Sequence, residues 1–389
     1  MWPLLLRCRT GTGPRVAVRE RGMPVGALTL AGIERAARAQ LPPEIWDFIE
    51  GGSGDERTLT ANREMFGRYA LRPRTLVDVS ACDPALTLLG APLALPLGIA
   101  PMAYHRLVDP EGETATARAA GRAGALLVAG MFASRTLEEI AGAATGPLWL
   151  QLYWLRRRDA LAALVERAEA AGYRALVLTV DAPRIGRRLR DLRNGFAIPP
   201  AVRAVNLDPA LMSTSHRAAS GSSGIAEHAR EQFDPALTWA DLAWLRERTR
   251  LPLVLKGILT AEDARLAVEH GADAVLVSNH GGRQLDGAVP ALAALPEVVE
   301  AVPAALPVLL DGGVRTGADI AVALALGARS VLIGRPVFWG LATDGEAGVH
   351  RVLDLLREEL EHTLALLGRP RLADLDGTAL ARWPCGAAG

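Results

Sequence analysis

From about residue 95 onward the chain alternates between two patterns. Short, wholly apolar, β-prone runs end in polar or glycine-rich turns. Stretches of helical period follow, close on a glycine and give way to the next apolar run. Eight runs can be marked: Leu97–Ala100, Ala125–Ala129, Leu148–Leu152, Ala175–Val180, Leu253–Lys256, Ala274–Ser278, Val308–Asp311 and Ser330–Gly334. Strands apolar on both faces are buried on both faces, the habit of parallel strands covered by helices. The helices carry start and stop signals. Thr260 precedes Asp263 by three residues and Gly271 closes the stretch; Thr316, Asp319 and Gly327 repeat the arrangement. PLVLKGILTAEDARLAVEHGADAVLVS and PVLLDGGVRTGADIAVALALGARSVLI read as two copies of one strand–turn–helix–strand unit. A βα repeat that closes at eight strands predicts an α/β (β/α)8 TIM barrel rather than an open doubly wound sheet.

Two regions break the rhythm. Residues 28–90 precede the first strand and contain LAGIERAARAQL and PPEIWDFIEGGSGDE, which predict an N-terminal helical cap. Between strands four and five, Pro183 to Pro235 forms a long loop with a Ser/Gly-rich middle, STSHRAASGSSG, expected to be a lid or a disordered segment. The stretch Gly348–Leu367 predicts a C-terminal helix that completes the outer ring. Residues 1–27 are expected to be a disordered extension or the product of a misassigned start, with Met23 as the first residue; 28–380 are expected to form a single domain. Trp2–Leu6 is too short to span a membrane, and no other stretch predicts a transmembrane helix.

Composition narrows the function. The 389 residues are half apolar, enough for one large core, and the formal net charge is zero, so no basic field for nucleic acid is expected. Cys8, Cys82 and Cys385 are too scattered for a disulfide framework or a metal cluster, which fits a reducing, cytoplasmic setting and no metal site. Of the 43 basic residues only Lys256 is a lysine. Arginine-biased coding explains the arginines and leaves the exception, which marks a position that needs a compact ammonium.

Barrel enzymes carry their chemistry at the C-terminal ends of the strands. Here those ends are Pro101-Met102-Ala103, Gln151-Leu152-Tyr153, Thr179-Val180-Asp181, Lys256, Ser278-Asn279-His280-Gly281-Gly282-Arg283, Asp311-Gly312-Gly313-Val314-Arg315 and Gly334-Arg335. The last two turns combine glycines and arginines where barrels commonly hold a phosphate. His280 is the natural general base and Asp181 its candidate partner. His105, His216, His228, His270, His350 and His362 lack such a setting and read as surface or structural.

At SNHGGRQLDG the sequence resembles the FMN-dependent 2-hydroxy acid oxidases and dehydrogenases. The resemblance extends over LPPEIWDFIEGGSGDE, LRPRTLVDVS, PEGE at 110–113, QLY at 151–153, TVDAPRIGRR at 179–188 and LDGGVRTGADI…IGRP. Within that family QLYWLR, GRRLRDLRNGFAIP and RQLDGAVP look most like the mandelate and 4-hydroxymandelate oxidases. The resemblance implies FMN as cofactor, His280 as base, Arg188 and Arg283 as a carboxylate clamp, Tyr153 near the substrate oxygens and Asp181 behind the histidine. It implies Lys256 beside the flavin N1 and C2 carbonyl, and Gln151, Thr179 and Ser278 against the flavin ring. Asp311, Gly312, Gly313, Arg315, Gly334 and Arg335 would meet the ribityl chain and phosphate. A homotetramer is implied by analogy, with oxygen or another acceptor reoxidising the flavin.

Three departures stand out. A tyrosine that many members use for the carboxylate is Phe48 here. The frequent PTA turn after strand one is Pro101-Met102-Ala103. A serine common after strand two is Gly130, with Phe132 two positions on. Together they point to a bulkier, aromatic (S)-2-hydroxy acid. Whether the proton leaves from carbon or from oxygen stays open. So do a larger biosynthetic intermediate or peptide as substrate and, in another class, a non-catalytic flavin-binding protein. A barrel of the isopentenyl diphosphate isomerase kind would not explain His280 with Arg283, and one of the inosinate dehydrogenase kind would need a rim cysteine.

Overall fold

The computed structural model describes residues 28–207 and 224–383. The expected N-terminal extension and most of STSHRAASGSSG lie outside the described residues. Eight parallel strands close into a barrel: β1 (Leu97–Ile99), β2 (Leu126–Gly130), β3 (Leu148–Leu152), β4 (Leu176–Thr179), β5 (Leu253–Ile258), β6 (Ala274–Val277), β7 (Val308–Asp311) and β8 (Ser330–Ile333). Each predicted run becomes a strand; Leu148–Leu152 and Val308–Asp311 match to the residue, and the other six shift by a residue or two at their ends. β8 pairs back to β1 through Val331 and Leu97, which seals the ring.

Every strand position except Gly257 is buried, as the unbroken apolar runs require. One set of side chains, including Val128, Trp149, Val177, Val254, Leu276 and Leu309, fills the barrel interior. A hairpin of Leu86–Leu88 and Ala91–Leu93 packs Leu86, Leu88 and Leu93 into the same cluster. The other set packs outward against the helices. The capping signals hold: Thr260 accepts from the Asp263 amide, and Thr316 and Asp319 form a reciprocal box. Among the described residues no helix is long and apolar enough to cross a membrane.

Two expectations need revision. The N-terminal cap is helical only over Leu30–Gln40, Pro43–Glu50 and Arg57–Glu64. Beyond it Tyr69–Leu71 pairs antiparallel with Leu380–Arg382, tying the two ends of the fold together. The last helix starts at Arg335, not Gly348, and runs to Leu367 with a non-helical break at Asp344 and Gly345. That break interrupts the helical period and hides the first half from the sequence. β5 carries an irregularity between Lys256 and Ile258, where Gly257 takes φ 111°. A Cβ at Gly257 would sit 2.6 Å from the Asp181 Cβ, so glycine is what lets Asp181 approach β5.

Candidate active site

The mouth formed by the strand ends is a cleft lined by Phe48, Pro101, Met102, Ala103, Tyr153, Thr179, Arg188, Lys256, His280, Arg283, Asp311, Gly312, Gly313, Arg315, Gly334 and Arg335, among others. Gly130, Gln151, Asp181 and Ser278 stand just behind this lining. The residues picked out by sequence are therefore gathered at one end of one barrel.

His280 sits in a short turn after β6. His280, Gly281 and Gly282 take φ 58°, 63° and 75°, and for the non-glycine residue that left-handed backbone costs about 1–2 kcal/mol. The turn is held from beneath: Ser278 Oγ accepts from the His280 amide at 3.0 Å and from Lys256 Nζ at 2.8 Å. It is braced from the side by Asn62 and Asn279, which exchange side-chain amide bonds at 2.8 Å.

The ring is aimed by its partners. Nδ1 lies 2.9 Å from Asp181 Oδ1. An ionised carboxylate can only accept, so Nδ1 carries the proton and Nε2 presents its lone pair. Tyr153 Oη is 3.5 Å from Nε2. Burial lowers the His280 pKa, and Lys256 and Arg188 add to that effect against the upward pull of Asp181. Asp181 is buried too, yet His280 and Lys256 hold its carboxyl below the usual range. The imidazole is therefore neutral near pH 7, with an imidazolium-stabilising carboxylate behind it, which is what a general base requires.

Two guanidinium groups neighbour this ring. Arg283 donates to the Ile49 and Gly51 carbonyls at 3.2 and 2.6 Å and lies 5.4 Å from the Phe48 ring centroid. Phe48 in turn stacks on Phe196 at 4.6 Å. Arg188 is buried, and its Nε has no partner among the described residues. Burial pushes both guanidinium pKa values down; for Arg283, Arg188 and Arg335 push further. Arg188 is buried and Arg283 half-buried, and among the described residues neither is ion-paired with a carboxylate; two such cations form a receptor for an anion.

A second pair of cations adjoins the first, since Arg335 shares two backbone carbonyls with Arg283. Arg335 donates to the Ile49, Gly281 and Gly51 carbonyls at 3.2, 3.1 and 3.3 Å. Arg315 lies 4.9 Å from the Trp339 ring centroid, and burial together with Arg335 lowers its pKa to about 10. Gly312 and Gly313 adopt φ 99° and 91° beside them; a Cβ on Gly313 would meet the Asn62 carbonyl at 2.3 Å. The mouth also carries a polar band. Gln151 Nε2 donates to Thr179 Oγ1 at 3.0 Å, and Lys256 Nζ pairs with Asp311 at 3.1 Å. Burial opposes the Lys256 charge, but Asp311 and Asp181 raise its pKa, so it remains an ammonium. The β1 turn, Pro101–Ala103, adds an apolar stretch to the lining; a Cβ on Gly130 would lie 2.8 Å from the Met102 carbonyl. A polar edge, an apolar face and a paired-arginine end fit a flat heteroaromatic ring with a phosphorylated tail.

The family model described as FMN-dependent dehydrogenase matches residues 37–382. The chain belongs to the FMN-dependent dehydrogenase family. Among curated relatives of this flavoenzyme, L-lactate oxidase of Nostoc sp. is 51% identical over 357 residues, covering 91% of this chain and 98% of the relative. The 4-hydroxymandelate oxidase of Amycolatopsis orientalis is 50% identical over 341 residues, covering 88% and 94%. The crystal structure of mandelate oxidase with (S)-4-hydroxymandelic acid superposes with a TM-score of 0.87 at 48% identity, covering 91% of this chain and 98% of that one.

The flavoenzyme's mouth also holds residues that sequence reasoning did not select. Tyr104, Ile185, Phe233 and His228 line it. His228, grouped with the surface or structural histidines, is buried and meets Phe132 edge-on at 5.5 Å. Phe233 stacks on Tyr153 at 4.5 Å. Tyr104 follows the first strand, whereas Ile185, His228 and Phe233 belong to the long connection after the fourth, His228 on the helix Gly224–Gln232 and Phe233 just past it, so their meeting with Tyr104 is visible only in space. His105 is structural, with Nδ1 2.9 Å from Thr116 Oγ1. His350 pairs with Asp354, and His216 lies outside the described residues.

Proposed function

We propose that this enzyme oxidises an aromatic (S)-2-hydroxy acid to the 2-oxo acid, with His280 as the base. Oxidation of a 2-hydroxy acid rests on family membership and on relatives that are 2-hydroxy acid oxidases over nearly their whole length. The aromatic side chain rests on one observation: beyond the base, the mouth is walled by rings. Phe132 lies 5.7 Å from Tyr153, 5.9 Å from Phe233 and 6.4 Å from Tyr104, with His228 at its edge. Aromatic pairs at such separations favour another ring over a methyl group or a hydrogen.

In this reading Arg188 and Arg283 fork onto the substrate carboxylate and fix the 2-carbon against the base. Tyr153 and His280 Nε2 face the 2-hydroxyl. His280 takes a proton, and Asp181 stabilises the imidazolium that forms. Bound FMN supplies the two-electron acceptor. Lys256 is the residue to hold positive charge beside its polar ring edge; Gln151, Thr179 and Ser278 would complete that edge. Arg315, Arg335 and the Gly312–Gly313 turn would hold the phosphate. Oxygen or another acceptor then takes the electrons.

The equal similarity to L-lactate oxidase favours a second reading, a small aliphatic acid. Anaerobic bleaching of the flavin by lactate, glycolate, mandelate and 4-hydroxymandelate separates the two, and admitting air tests oxygen as acceptor. The aromatic acids are expected to reduce the flavin at least tenfold more efficiently. A higher kcat/KM for lactate or glycolate would discard the aromatic assignment.

A further inference from the structure

Beside the arginine pair lies a carboxylate that the reaction as described does not use. Asp191 sits on the short helix Leu189–Asn194, which starts directly after Arg188. It is 1% exposed, and neither side-chain oxygen has a hydrogen-bond partner among the described residues. Its place in the fold is fixed through the main chain: its carbonyl accepts from the Phe196 amide at 2.9 Å, and Phe196 stacks on Phe48 under Arg283.

The charged groups facing Asp191 are few. Arg188 and Arg190 come from its own segment, Arg283 from the turn after β6 and Asp47 from the packed helix Pro43–Glu50. Arg190 is already engaged, with Glu56 at 2.5 Å and Asp47 at 3.4 Å. Arg283 bonds only to backbone carbonyls, and the Arg188 Nε bonds to nothing among the described residues. The two guanidiniums and Asp191 thus form a charge triad whose carboxylate feels the field of both cations and, among the described residues, is bonded to neither.

We propose that Asp191 is a positioning residue for substrate anions: it offsets Arg188 and Arg283 in the free enzyme and takes up a proton from solvent when a carboxylate binds them. This rests on the reading of those arginines as the clamp. Burial already holds the Asp191 carboxyl above its usual range, with Arg188 and Arg283 pulling it back. A second carboxylate on the same two arginines competes for that pull and adds like-charge repulsion, so the bound state favours protonated Asp191. By linkage, anion affinity falls by up to tenfold per pH unit between the free and complexed pKa values of Asp191, and is flat on either side.

The test uses FMN-loaded enzyme in a His280→Gln, Asp181→Asn background, which removes the imidazole and the carboxylate behind it as titrating groups. Phenylacetate, a carboxylate without a 2-hydroxyl, is titrated by its perturbation of the flavin spectrum from pH 5 to 9. Its Kd is expected to rise with pH in the parent and to be pH-independent in Asp191→Asn, at the tight low-pH value. If Asp191→Asn keeps the parent's slope, or binds more weakly at every pH, the proposal is overturned; the second result would mean that Asp191 merely shapes the site. Arg283→Gln separates the premise: unchanged phenylacetate binding there would sink the clamp instead. Should Asp191→Asn fail to hold FMN, calorimetry of phenylacetate binding to the parent in two buffers of different ionisation enthalpy reads the same proton. Uptake of up to one proton supports the proposal, and none refutes it.

Discussion

Replacing Asp181 with asparagine tests the arrangement of the base most directly. The substitution keeps the shape and removes the charge that sits 2.9 Å from His280 Nδ1. A hydrogen bond to a charged partner contributes about 1.5–3 kcal/mol, and here its full strength is realised only once His280 has taken the proton. At about 1.4 kcal/mol per decade, flavin reduction should slow about 10- to 150-fold. The loss is larger if the amide turns its NH2 toward the ring, because Nδ1 would then accept and Nε2 would carry the proton. The pH profile supplies an independent sign. Burial lowers the His280 pKa and Asp181 raises it, so deleting the charge lowers it further. The acid limb of kcat/KM, already below the usual histidine value of about 6.5, should move to still lower pH even as the plateau falls. Stopped-flow bleaching under anaerobic conditions across pH measures both. A plateau within twofold of the parent, or an acid limb that moves upward, would refute the reasoning.

Three further substitutions probe the rest of the mouth. Lys256→Met leaves Asp311 as a buried carboxylate without its cation; stability should drop by about 3–5 kcal/mol and FMN should bind more weakly, read by thermal melting and flavin fluorescence. Gly313→Ala forces a Cβ to within 2.3 Å of the Asn62 carbonyl at a φ of 91°, and should cost about 2–5 kcal/mol with loss of retained FMN, read from the absorbance ratio of the purified protein. Phe48→Tyr adds a hydroxyl to the ring that Arg283 covers, and should raise kcat/KM for lactate relative to mandelate by about tenfold, the worth of one hydrogen bond.

The barrel was legible because its strands are apolar on both faces and end in glycine or polar turns. Such runs admit one reading when helices separate them, and all eight formed. The whereabouts of His280, Arg283 and Lys256 were legible for a related reason: a (β/α)8 fold restricts chemistry to strand ends, and the structure gathers those three side chains at one mouth. What escaped were features with distant partners. Tyr69–Leu71 carries no strand signal of its own and forms only because Leu380–Arg382 returns to it. The helix from Arg335 was truncated at Gly348 because Asp344 and Gly345 break its period. Tyr104 follows the first strand while His228 and Phe233 sit at the helix Gly224–Gln232 in the connection after the fourth, and they meet only where both segments converge on Phe132 and Tyr153.

The charge pattern of the mouth leads to a last prediction, on cofactor removal. Burial and the neighbouring Arg335 lower the Arg315 pKa, and burial, Arg188 and Arg190 lower that of Arg335, which has Glu50 3.9 Å away. Like charges held this way are a strain in the empty fold that a dianionic phosphate relieves. FMN at 100 to 1,000 times its Kd should stabilise the native state by about 3–4 kcal/mol, so stripping it should lower the melting temperature by several degrees. If the arginine pair is responsible for part of this, inorganic phosphate should restore some of the loss to the FMN-free protein, more than sulfate-matched or chloride-matched ionic strength does. The restoration should vanish in Arg315→Gln. Equal rescue by chloride, or phosphate rescue that survives the substitution, would show that the cationic end is not the phosphate's seat.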